Sequence, residues 1–135
     1  YSKAFNSIFI FNKGELDPTP FVNFSKEIGS AFCMAEMEIN QDGDLGILDC
    51  DGLIHFFSQN GQKQASFPTT IDQAAFLISV RSDWFVFNQN GAGISINSQE
   101  KVSIPGASVP VLDMESMNRS IAVLAKDHIL ILDVK

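Results

Sequence analysis

The sequence predicts an all-β chain made of antiparallel four-stranded sheets, on three observations. Turn-forming X-Gly dipeptides recur at Asp42-Gly43, Asp51-Gly52, Asn60-Gly61 and Asn90-Gly91. Between them lie strand-length runs rich in Ile, Val, Leu and Phe, such as Leu45–Asp49, Leu53–Phe57 and Trp84–Phe87. No window sustains a helical period. The nearest approach, Ala74–Val80, leads into the turn Arg81-Ser82-Asp83 and reads as a strand.

The elements then follow in order. Phe32–Ile39, Asp44–Asp49, Leu53–Ser58 and Gln62–Phe67 are four successive antiparallel strands, joined by turns at Gln41-Asp42-Gly43, Asp51-Gly52 and Asn60-Gly61. The Asp-Gly and Asn-Gly pairs suit type I′ hairpins, which need positive φ at both central residues. The pattern returns in Ala75–Val80, Trp84–Asn88, Gly93–Ser98 and Lys101–Pro105. It starts again in Val111–Met117, Ser120–Ala125 and His128–Val134. The turn between second and third strands falls at Asp51, Asn90 and Asp127, spacings of 39 and 37 residues. Residues 1–28 read as outer strands of a preceding unit, because Ile8–Gly14 matches Ile54–Gly61. Pro18 and Pro20 confine part of that segment to a sheet edge. The units are thus 1–28 (partial), 29–70, 71–107 and 108–135 (partial), within one domain spanning 1–135.

A lone four-stranded sheet buries too little to be stable, whereas stacked sheets bury both faces of each. Inner strands should then be apolar throughout, and Leu45–Leu48, Trp84–Phe87 and Ile121–Leu124 are. Outer strands should be polar, as Gln62–Ser66 is. Units that repeat at this period suggest β-propeller blades. The segment Asn40–Phe57, with its DGDL turn and DCDGLIHFF, resembles a blade of the WD40 or quinoprotein-like propeller family. The family's Gly-His and Trp-Asp dipeptides are absent, which makes the resemblance that of a divergent member. About three and a half blades do not close a ring of the usual four to eight. The chain is then part of a longer one, one of two copies in a ring of about seven, or a compact ring of about four. A β-sandwich is the alternative fold. Tyr1 in place of Met also fits a processed product or a piece.

Composition narrows function. The net charge is −7 and the nine basic residues are scattered, with no stripe to displace counterions from nucleic acid. No apolar run approaches the roughly 20 residues of a membrane span. The acidic balance fits a partner with a basic patch. The compartment stays open, with an intracellular one favoured. Asn23 and Asn118 begin Asn-x-Ser tripeptides, which are common by chance.

Few residues invite chemistry. Glu38, Asn40, Asp42 and Asp44 place oxygens at alternate positions with Gly43 sixth, as a calcium loop does. The loop fails at its twelfth position, Asp49, and Gly46 stands where an integrin-type propeller loop needs an acid, so a plain turn is favoured. Cys33 and Cys50 lie on neighbouring strands of one hairpin; either a cross-strand disulfide or two buried thiols fits, with the thiols favoured. His55 and His128 read as packed or surface side chains, and no metal site or cofactor is expected. Phe21 and Phe24, beside prolines on a presumed edge, are the candidates for an exposed partner-binding patch. No nucleophile elbow or P-loop occurs.

The sequence therefore points to a non-catalytic protein–protein interaction scaffold within a larger propeller assembly. Its rim loops would include Thr69–Gln73 and Ala107–Pro110. The alternative is a ligand-binding, glycan-binding or enzymatic propeller whose site other blades or chains complete.

Overall fold

The computed structural model describes residues 1–134; the last residue of the final expected unit, Lys135, lies outside the described residues. Among the described residues fifteen strands and one helical turn follow in order. The first part holds β1 (Ser7–Ile8), β2 (Phe11–Asn12), β3 (Glu15–Leu16), β4 (Val22–Asn23) and α1 (Phe24–Glu27). Next come β5 (Met34–Ile39), β6 (Leu45–Asp49), β7 (Leu53–Phe57) and β8 (Lys63–Pro68), an antiparallel sheet in that order. A second such sheet holds β9 (Ala74–Val80), β10 (Asp83–Asn88), β11 (Ala92–Ser95) and β12 (Lys101–Ser103). The third is three-stranded: β13 (Asp113–Met117), β14 (Ser120–Leu124) and β15 (Ile129–Asp133).

The sheets stack face to face through apolar cores. Leu48 and Ile54 of the first sheet meet Leu77, Trp84, Val86 and Ile94 of the second. Phe76, Ile78, Val80, Phe85 and Phe87 on the other face of the second sheet meet Met114, Ile121 and Val123 of the third. Strands β6 and β10 are therefore buried on both faces, which explains their unbroken apolar runs. The outer strands β8 and β12 are largely exposed. Successive stacked sheets replace the β-sandwich alternative, because the middle sheet is sandwiched on both faces and a two-layer fold has no such layer.

The turns differ from the type I′ expectation. In these four turns the glycines Gly43, Gly52, Gly61 and Gly91 have positive φ, and the Asp or Asn before each does not. Each glycine N–H donates to the carbonyl three residues earlier, at Asn40, Asp49, Ser58 and Asn88. The side-chain oxygen of that same residue accepts from the amides two and four residues on. These are type I turns closed by a left-handed glycine, and a polar side chain at the first position caps them. That side chain holds the first central residue in the right-handed region, which excludes I′ geometry.

Residues 1–28, read from the sequence as outer strands of a preceding unit, hold strands and one helical turn. They form two separate short ladders, β1–β4 and β2–β3, and a helical turn. Pro18 and Pro20 bring no amide hydrogen to a ladder. Asn23 Oδ1 accepts the Lys26 amide and starts the helical turn. Several strands are shorter than expected, β13 and β15 by two residues each, and three of them have a visible cause. Strand β5 begins at Met34 instead of residue 32, because the Phe32 amide closes a turn on the Gly29 carbonyl. Strand β11 stops at Ser95, whose hydroxyl and carbonyl turn the chain by accepting the Ser98 and Gln99 amides. Strand β12 ends at Ser103, two residues before Pro105. No helix among the described residues is long and apolar enough to cross a membrane.

Candidate functional site

The innermost strands of the three sheets, β5, β9 and β13, lie side by side. Their hairpin turns therefore gather at one end of the stack. Arg81 occupies the two-residue loop between β9 and β10, and Asn118-Arg119 the equivalent loop between β13 and β14. Arg81 and Asn118 both take positive φ, the sharp geometry a two-residue hairpin needs. Gln41, Arg81, Met117, Asn118, Arg119 and Ser120 line an open depression of about 890 Å³ there. Neither arginine belongs to an ion pair among the described residues.

Below this mouth the inner strands are acidic. Burial raises the Glu36 carboxyl above its ordinary range, and Asp113, Glu115 and Glu38 raise it further. Burial also raises Glu38, partly offset by the Ser116 hydroxyl, which donates to its Oε1 at 3.0 Å, and by the Ser79 amide; Glu115 adds to the rise. Four carboxylates from two blades thus face one another, while the two arginines stand at the rim.

A second polar constellation sits within the first sheet. His55 is buried on β7; its Nε2 lies 2.8 Å from Asp49 Oδ2 and its Nδ1 2.7 Å from Ser66 Oγ. An ionised carboxylate only accepts, so Nε2 carries the proton, and in the neutral ring Nδ1 accepts from the serine. Ser, His and Asp in series are the parts of an activated nucleophile. Acyl chemistry further needs oxyanion donors and a substrate cleft. Ser66 lies on the outer strand β8 and lines none of the five best-formed cavities among the described residues. Asp49 Oδ1 meanwhile holds the Asp51 and Leu53 amides. The network satisfies a buried imidazole and ties three strands of one blade together. A looser group on the surface joins Asp127 Oδ1 to the Ser108 hydroxyl and to His128 Nδ1, and these contacts hold the Asp127 carboxyl below its usual range.

The other sequence candidates find their places. Phe24 is fully buried and stacked on Phe32 at 4.3 Å, and Phe21 is half-buried against the same core. The exposed patch expected at Phe21 and Phe24 is therefore corrected: the Asn23 cap turns Phe24 inward. Glu38, Asn40, Asp42 and Asp44 do not converge on one point. Glu38 turns to Ser116, while Asn40 Oδ1 is taken by the Asp42 and Asp44 amides. No group of three or more potential ligands is placed to hold a metal among the described residues. Cys33 and Cys50 form a disulfide, with Cα atoms 5.4 Å apart, where the sequence favoured free thiols. They pair across neighbouring strands, the Cys50 amide donating to the Cys33 carbonyl. Sequence reasoning missed the arginine mouth and the His55 network. The recurring turn offered the first as a signal, since equivalent loops of stacked blades end together. The second required the register of β7 against β8, which places His55 opposite Ser66.

No family model and no curated protein matches this sequence. Solved structures do. A chain of the mitotic checkpoint complex superposes with a TM-score of 0.59 at 16% identity, over 77% of this chain and 35% of that one. YCF48 bound to D1 peptide gives 0.56 at 14%, over 78% and 38%. Virginiamycin B lyase from Staphylococcus aureus, in a catalytically inactive H270A form with quinupristin, gives 0.52 at 17%, over 97% and 50%. These likenesses establish the fold: the chain is a run of divergent β-propeller blades. It spans half or less of each of these chains.

Proposed function

We propose that this chain is a protein-interaction platform within a β-propeller assembly, and that its binding surface is the mouth built from Gln41, Arg81 and Asn118-Arg119. The observation that carries the reading is the convergence of equivalent turns from three successive blades on one wide, polar depression. Small-molecule sites are enclosed and mostly apolar, whereas this one is open and polar, which suits a protein segment. Arginine is enriched where proteins meet, through its fixed fork of donors. The two arginines favour a segment bearing carboxylates. The peptide-bound neighbour lends the reading support by analogy of fold.

Capture from native extract tests it, comparing the native chain with Arg81→Glu/Arg119→Glu. The expected result is a stable partner that the double variant loses while its circular dichroism is unchanged. No stable partner, or a partner retained equally by both, removes the reading. A catalytic reading draws on the Ser66–His55–Asp49 series and the lyase neighbour. Labelling of Ser66 by a fluorophosphonate would favour it.

A further inference from the structure

The two four-stranded sheets leave an aromatic cleft at the outer edge of the seam between them. Phe56 and Phe67 line it from the first sheet and Trp84 from the second, around a volume of about 350 Å³. Register puts them there. Phe56 stands opposite Gly46, and Phe67 opposite Ile54, so both rings share the face that packs on the second sheet. Gly46 lets the indole lie close, since a Cβ there would fall 2.6 Å from it. Phe56 is 5.0 Å from Trp84 and 5.6 Å from Phe67 between ring centroids, at interplanar angles of 58° and 52°. Rings tilted in this way form a corner instead of a stack, and a corner presents ring faces. Exposure grades outward, from Trp84 at 7% through half-buried Phe56 to Phe67 at 36%. The far faces of both sheets are covered by other cores, so the cleft is built wholly from these two sheets.

One charged side chain lines the cleft among the described residues: Asp44, half-buried just before β6. Asn40 Nδ2 approaches its Oδ2 at 3.5 Å, and Oδ1 has no hydrogen-bond partner among the described residues. The exposed amides of Gln64 and Asn97 complete the lining. An aromatic face attracts a cation that lies within about 6 Å of the ring centroid. The rings here are near enough for one cation to reach more than one of them, and Asp44 supplies the opposite charge. A bare ammonium is strongly hydrated. An alkylated one sheathes its charge in methyl groups that gain by leaving water. The volume lies at the small end of small-molecule sites, which run from about 300 to 1,000 Å³.

We propose that this cleft binds a small organic cation with a quaternary ammonium head, of the choline kind. The head sits among Phe56, Phe67 and Trp84 with Asp44 as its counter-ion, and Gln64 and Asn97 take the polar tail. The site does not rest on the platform reading: cleft and mouth share no residue, and they favour opposite charges.

Trp84 is the sole tryptophan, so its emission reports occupancy. The native chain is titrated with choline chloride against sodium chloride at matched ionic strength. A parallel titration uses the uncharged carbon isostere of choline, in which a tert-butyl group replaces the ammonium head. The expected result is a saturable change with choline and binding about tenfold weaker for the isostere. Asp44→Asn and Phe67→Leu, each with unchanged circular dichroism, should weaken choline by about fivefold or more. If either variant misfolds, the comparison of choline with its isostere in the native chain still decides. A response that does not saturate, equal binding of the isostere, or native affinity in both folded variants overturns the proposal. A peptide carrying trimethyl-lysine that binds more than about tenfold tighter than choline overturns the small-molecule assignment in favour of a partner's side chain.

Discussion

Gly46→Ala tests the packing between the first two blades most directly. A Cβ built at Gly46 would lie 2.6 Å from Trp84 Cζ3, 2.9 Å from Cη2 and 3.1 Å from Cε3. Ordinary contact begins near 3.4 Å, so the indole must retreat by roughly 1 Å. Its other neighbours, Phe56 and the core around Leu77 and Val86, leave it little room. Overpacking of this kind costs about 1–3 kcal/mol. The substitution also removes freedom from the unfolded chain, which returns about 0.4–1 kcal/mol. A net loss of about 1–2 kcal/mol, roughly 3–10 °C in melting temperature for a chain of this size, is expected. Urea unfolding followed by circular dichroism measures it. Trp84 is the sole tryptophan, so its emission reports the displaced ring separately. Trp84→Leu supplies the control: in that background Gly46→Ala should become neutral or mildly stabilising, a coupling that a double-mutant cycle isolates. An unchanged or raised stability for Gly46→Ala, or an equal cost with and without Trp84, would refute the reasoning.

Asp49→Ala removes the acceptor for the Asp51 and Leu53 amides and leaves His55 Nε2 buried without a partner. A loss of about 2–4 kcal/mol is expected, read from the urea midpoint, with amide exchange rising first in β7. Reduction of the disulfide, or Cys33→Ser, frees a 17-residue separation and should cost about 3 kcal/mol by the loop-entropy relation. Melting with and without reductant, with Cys33→Ser insensitive to the reductant, checks this. Glu36→Gln tests the acidic inner strands. A carboxyl raised in the folded state contributes stability that is full below its unfolded value of 4.5 and lost as pH climbs through the folded one. The glutamine variant should therefore melt higher than the native chain at pH 7, with the gap closing below pH 4.5. A gap that persists at low pH would point to packing instead of charge.

The chain of local signals was sufficient for the repeat. Apolar runs at Leu45–Leu48 and Trp84–Phe87 mark strands buried on both faces, and Gly43, Gly52, Gly61 and Gly91 mark the reversals between strands. These depend on neighbours a few residues apart, so the order of residues carries them. The turn type did not follow, because it turned on a side chain four residues upstream that competes for the same amides. Phe24 was misplaced for a similar reason: a cap at Asn23 outweighs the flanking prolines.

What the sequence by itself determined is the period, the strands and the stacking of sheets, all consequences of local turn chemistry and of which strands must be buried twice. Tertiary structure alone decided which turns share a mouth and which side chain faces His55. Those depend on register and on the angle between blades, quantities summed over contacts between residues far apart in the chain, and Arg81 meets Arg119 at one depression only because their blades are stacked.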